Sequence, residues 1–161
     1  MDNNNNEKIA IYAGSFDPFT LGHYDILKEG SEMFDKIIIA VADNPNKKCM
    51  FTVDERINLI KSCIKDFDNV KFDSFEGLTV EYAKKQGAKF LLRGIRSVQD
   101  FEYERELAQN NNILAPDIKT VFFMTKPEYS FISSSGVREI ILNGGDVSKL
   151  VPAEISNKLK G

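Results

Sequence analysis

The chain holds a single histidine, His23, and its neighbours suggest what it could do. It closes the segment Thr20-Leu21-Gly22-His23, which follows Gly14-Ser15-Phe16-Asp17-Pro18. The apolar run Ile9 to Ala13 before this segment reads as a strand, and helical spacing begins at Leu21. Gly22 and His23 therefore fall in the first turn of a helix, where unpaired N–H groups and the helix dipole attract phosphate. An imidazole in that turn can donate to a phosphate oxygen. Gly14 lets the chain leave the strand sharply and approach a ligand. The competing reading is an incidental surface histidine, which the flanking glycines argue against.

Other donors sit at similar places. Arg93 and Arg96 follow an apolar strand, and their planar guanidinium forks suit phosphate oxygens. The same two arginines could instead pair with Asp100, Glu102 or Glu104. Lys47 and Lys48 lie in the loop Asn44-Pro45-Asn46-Lys47-Lys48, a pattern that solvated surface lysines also show. Ser133-Ser134-Ser135 can cap a helix, face a phosphate, or do both. Phe101-Glu102-Tyr103-Glu104, early on a long helix, reads as packing plus a solvated face. Cations, glycines and hydroxyls from separate loops together suit a polyanion such as a triphosphate.

The elements that must position these groups alternate. Strands are expected at 9–13, 36–42, 70–74, 90–92 and 120–124. Helices are expected at 21–34, 52–66, 79–86, 97–112 and 134–143, with one or two short ones over 147–160. Thr52-Val53-Asp54-Glu55 forms a capping box, and Gly144-Gly145 a stop. Five β-α units predict an α/β fold: a single-domain, doubly wound, five-stranded parallel sheet with right-handed crossovers. In such sheets ligands bind beyond the carboxyl ends of the strands, where all the segments above begin. Positions 1–7 are expected to form a disordered polar tail before a domain over 8–161.

Composition excludes several classes. The 161 residues carry a net charge of −3 with no basic stretch, which disfavours a nucleic acid partner. No apolar run reaches the roughly 20 residues of a membrane span, and the start lacks a signal-peptide core. Cys49 and Cys63 form no metal pattern, no metal-ligand set is expected, and a reducing cytoplasm is the expected setting. GxGxxG and GxxxxGK[ST] are both missing, which argues against a dinucleotide-binding oxidoreductase and a P-loop NTPase. No GxSxG elbow exists for a hydrolase triad.

Gly14 to Pro18 with Thr20 to His23 resembles the signature of the HxGH-type nucleotidyltransferases, with Thr20 replacing the first histidine. Ile132-Ser133-Ser134-Ser135-Gly136-Val137-Arg138 resembles their second motif, ISSTxxR. Within that superfamily the chain is similar to the bacterial phosphopantetheine adenylyltransferases. That similarity rests on Pro45 to Lys48, Met50-Phe51-Thr52, Arg93-Gly94-Ile95-Arg96 with Asp100 to Glu104, and Tyr129 to Ser135. It implies a Rossmann-like nucleotidyltransferase fold and transfer of AMP from ATP to 4'-phosphopantetheine, with Mg2+, in a homohexamer. It assigns His23 to the transition state and Lys47, Arg93 and Ser15 to the acceptor's phosphate, with Thr79 along the pantetheine arm. ATP would meet Ser15, Phe16, His23, Gly94, Ile95, Arg96, Glu104, Tyr129, Ser130, Phe131, Ile132, Ser133, Ser134 and Ser135. Ala13, Ser15 and Thr79 depart from the commonest pattern of proline, threonine and a larger apolar residue. The competing functions are transfer to another phosphorylated acceptor, such as nicotinate mononucleotide, and a nucleotide sensor without turnover.

Overall fold

A computed structural model describes residues 7–160. The expected polar tail lies outside the described residues except for Glu7, which is exposed. Five strands form one parallel sheet in the order β3-β2-β1-β4-β5. They are β1 (Ile9–Gly14), β2 (Lys36–Ala42), β3 (Val70–Phe75), β4 (Phe90–Ile95) and β5 (Lys119–Met124). The helices are α1 (Leu21–Met33), α2 (Val53–Cys63), α3 (Thr79–Lys85), α4 (Val98–Leu114), α5 (Ser134–Leu142) and α6 (Ala153–Lys160). The strand order reverses between β1 and β4, so this is the doubly wound sheet that the alternation predicts.

Strand periodicity explains the two cores. Ala10, Tyr12, Ile37, Ile39 and Val41 face one side, with Ile26, Leu27, Ile60, Val137 and Ile155 from α1, α2, α5 and α6. Ile11, Ala13, Ile38 and Ala40 face the other, with Val80 and Ala83 from α3. Continuous apolar strands are what a sheet covered on both faces requires. Gly30 seats α1 on the sheet: a Cβ there would stand 2.6 Å from Leu92 Cδ2.

Caps fix where helices start. Thr52 Oγ1 accepts from Glu55 N (3.2 Å) while Glu55 Oε2 accepts from Thr52 N (2.7 Å), the expected capping box. Ser97 caps α4 through Asp100 N, and Ser133 caps α5 through Gly136 N.

Two expectations change. β4 runs on through Arg93, Gly94 and Ile95, because β5 offers Phe122, Phe123 and Met124 as register partners. The arginine therefore stands on the strand, not in the loop after it. α2 stops at Cys63, short of Asp66. Of the one or two terminal helices expected over 147–160, one forms: α6, directly after Pro152. Among the described residues no helix is long and apolar enough to cross a membrane.

Candidate active site

The ladder between β1 and β4 is registered only at Ala10–Phe90 and Ile11–Leu91, whereas β1 and β2 pair along six positions. Beyond Leu91 the two strands part, and a cavity of about 400 Å³ opens at their carboxyl ends. Arg93 bridges the split by donating from Nη1 to Ala13 O (2.8 Å). The same arginine forms a bidentate pair with Glu104, from Nε (2.7 Å) and Nη2 (2.6 Å). A guanidinium has five N–H groups; three are committed here, and one on each terminal nitrogen is left. Arg96 donates to Asp100 from Nε (2.8 Å) and Nη2 (3.2 Å), and to Ile132 O from Nη1 (2.7 Å). Asp100 and Glu104 stand four residues apart on α4 and hold both arginines at the cavity wall. The alternatives weighed for these arginines coexist: each is paired with a carboxylate and lines the cavity.

His23 is the third residue of α1 and completes an unusual capping box. Its backbone N–H donates to Thr20 Oγ1 (3.3 Å), and its ring Nδ1 accepts from Thr20 N (3.0 Å). Nδ1 must then be unprotonated, so the neutral ring carries its hydrogen on Nε2. Phe19 stacks on the imidazole at 5.5 Å, and Phe16 meets it edge-on at 5.1 Å. Burial, and then the positive charges of Arg96 and Arg93, lower its pKa to about 3. The ring is thus held as a neutral donor in the wall of a cationic cavity. Burial also pushes up the pKa of the cavity-lining Tyr12 hydroxyl.

The first loop is pinned from several sides. Lys47 Nζ donates to Ser15 Oγ (2.9 Å), which joins residues 32 apart in sequence. Buried Asp17 accepts from Met50 N (2.8 Å) and Phe51 N (3.0 Å). Arg138 donates to Asp17 O (2.7 Å), and Ser134 Oγ donates to Pro18 O (2.9 Å), which ties α5 to the same loop. Phe16 takes a left-handed φ of 48°, a strained choice for a bulky residue. Its ring, 3 % exposed, turns into the core. Gly14 allows this packing, since a Cβ there would stand 3.1 Å from the Phe16 ring. Gly14 thus makes room for an aromatic ring, a different reason from the sharp exit expected of it.

A family model described as cytidylyltransferase-like matches residues 11–140. The phosphopantetheine adenylyltransferase of Lachnoclostridium phytofermentans is 53% identical over 148 residues, covering 92% of this chain and 91% of the relative. That of a Cyanothece species is 51% identical over 152 residues, covering 94% and 90%. The chain belongs to the phosphopantetheine adenylyltransferase family. A putative nicotinate-nucleotide adenylyltransferase from Vibrio parahaemolyticus superposes with a TM-score of 0.69 at 21% identity, covering 96% of this chain and 99% of that one. That likeness is one of fold.

Of the residues that the resemblance to phosphopantetheine adenylyltransferases assigns, Ser15, Phe16, His23, Lys47, Arg93, Gly94, Arg96, Glu104, Ile132, Ser133, Ser134 and Ser135 line the cavity. Thr79, Ile95, Tyr129, Ser130 and Phe131 do not. Thr79 opens α3 beyond β3, and Phe131 is 73% exposed. Tyr12 and Thr125 line the cavity without having been singled out, and Asp100 and Arg138, quoted within motifs but given no ligand role, line it too. Arg138 closes the second motif, a signal that could have found it. Tyr12 and Thr125 become visible only once the strands are in place.

Proposed function

We propose that the chain transfers AMP from ATP to 4'-phosphopantetheine, giving dephospho-coenzyme A and pyrophosphate. The observation that carries the reading is the cavity at the β1/β4 split, where His23, Arg93, Arg96 and Lys47 converge around one polyanion-sized space. Family membership supports the choice of acceptor.

The attacking group is a phosphate that is already ionised at neutral pH, so no general base is needed. The protein's task is to hold that phosphate in line with the α-phosphorus and to stabilise the charge that builds there. Lys47, Ser15 and the two spare N–H groups of Arg93 suit the acceptor's phosphate. His23 Nε2–H suits the equatorial oxygens of the α-phosphate. Arg96 and Ser133 to Ser135, at the N-terminus of α5, suit the other phosphates of ATP. Glu104, which lines the same cavity, holds the fork of Arg93 in place. Bond formation and loss of pyrophosphate take place in one displacement without a covalent intermediate.

Mg2+ fits as part of the incoming nucleotide. Among the described residues no three His, Cys, Asp or Glu side chains gather to hold a metal, and the cavity's two acids are spent on arginines. The ATP phosphates would carry the ion, and when bound it would supply charge screening for the pyrophosphate group.

We also infer a cytoplasmic homohexamer. Of the 17 residues of α4 only Glu104 is buried, while Val98, Phe101, Tyr103, Ile113 and Leu114 are exposed. An apolar surface of this kind on a small domain fits burial against further copies.

Pyrophosphate release tests the acceptor. With ATP and Mg2+, release should require 4'-phosphopantetheine and should not occur with unphosphorylated pantetheine. Equal release without an acceptor would point to hydrolysis and overturn the reading.

A further inference from the structure

One buried cation is absent from the chemistry above. Arg56 on α2 is 3% exposed. Its Nε donates to Phe51 O (3.1 Å) and, at longer range, to Thr52 O (3.4 Å). Its Nη1 donates to Ser15 O (2.7 Å) and Ala42 O (3.1 Å). No ion pair among the described residues includes it. The other charges buried around the cavity have partners: Glu104 has Arg93, Asp25 has Lys126, and Asp17 has Arg138.

A buried charge without a counter-ion is among the costliest groups a fold can hold. The carbonyl dipoles take up the N–H groups of Nε and Nη1 but leave the net charge in place. The two carbonyls on Nη1 belong to the acceptor end of the cavity. Ser15 carries the hydroxyl that meets Lys47 Nζ. Ala42 ends β2, where the loop bearing Lys47 departs.

We propose that Arg56 is the positioning residue of the acceptor-phosphate seat, a role that rests on reading the Ser15–Lys47 end as that seat. Its fork fixes the backbone of Ser15 and Ala42, which sets the spacing between the Ser15 hydroxyl and the Lys47 loop. Its uncompensated charge lies directly behind Ser15 and biases that end of the cavity toward a phosphate dianion.

Titration calorimetry on wild type, Arg56→Lys and Arg56→Met tests this, with ATP and 4'-phosphopantetheine as separate ligands and thermal melts to confirm folding. Arg56→Met removes fork and charge and should weaken 4'-phosphopantetheine binding by about tenfold or more, the scale of one lost charged hydrogen-bonding group, with ATP affinity within about twofold. Arg56→Lys keeps the charge and should fall between the two. A folded Arg56→Met that binds 4'-phosphopantetheine as wild type does, or that loses both ligands equally, would overturn the assignment. Should Arg56→Met fail to fold, Arg56→Lys decides by the same criterion of selective loss. Wild type that binds ATP but not 4'-phosphopantetheine would sink the acceptor reading, and the role of Arg56 with it. Wild type that binds both while the variants lose neither sinks the role of Arg56 alone.

Discussion

His23 shows how one side chain can be set for a task by its own helix. Thr20 N occupies Nδ1, so the ring offers only an Nε2–H donor. With its pKa lowered to about 3, the ring stays neutral across the working range. As the only histidine, it is open to direct measurement: its ring proton signals should not titrate between about pH 5 and 8, the range where an unperturbed imidazole changes charge. The linkage has a definite sign. Between the ordinary value near 6.5 and the folded value near 3, the unfolded chain binds a proton that the folded chain does not. Stability is therefore lost as the pH falls through that window, and His23→Ala should flatten that part of the melting-temperature profile. In catalysis, His23→Ala should lower kcat by about 10²–10³ with little change in KM, since one preorganised donor to the transition state is gone. Lys47→Ala should instead mainly raise KM for 4'-phosphopantetheine, with ATP binding retained. Steady-state kinetics that vary each substrate separately read both changes. The sequence places His23 in a helix's first turn, but not the bond that selects its tautomer, because an N3 histidine in a capping box has no common signature.

At the scale of elements, the site depends on how closely α1 lies against β4. A Cβ on Gly94 would stand 2.9 Å from Ile26 Cγ1, and one on Gly30 would stand 2.6 Å from Leu92 Cδ2. Gly30→Ala, far from the reacting groups, should cost about 1–3 kcal/mol as an overpacked contact, seen as a lower melting temperature. Gly94→Ala should cost a similar amount and also disturb Arg93 and Arg96, so activity should fall further than stability. Alternating strands and helices, the Thr52 box and the serine caps were legible because each rests on local spacing. The end of β4 was less so: Arg93-Gly94 reads as loop until β5 supplies its partners in register. Spacing alone also left open whether Arg93 meets a phosphate or an acid. The fold answers that it is held by Glu104 with two donors to spare, a matter of three-dimensional geometry that sequence order does not carry.

At the scale of the molecule, the sheet's reversal between β1 and β4 gathers residues from positions 12 to 138 around one cavity. The α/β class and the place of the cavity follow from the β-α alternation; the acceptor is read from motifs and from kinship to the adenylyltransferases. Assembly belongs to this scale too. Light scattering at about micromolar concentration should report a hexamer, and Ile113→Glu on exposed α4 should reduce its mass while changing the stability of the lone chain by no more than about 0.5 kcal/mol. A stable wild-type monomer would contradict the assembly. The reaction itself can be read from the mass of its product. The protein is incubated with ATP, Mg2+ and an equimolar mixture of 4'-phosphopantetheine and nicotinate mononucleotide. Dephospho-coenzyme A with pyrophosphate is the expected product; the nicotinate dinucleotide, or unchanged ATP, would overturn the assigned reaction.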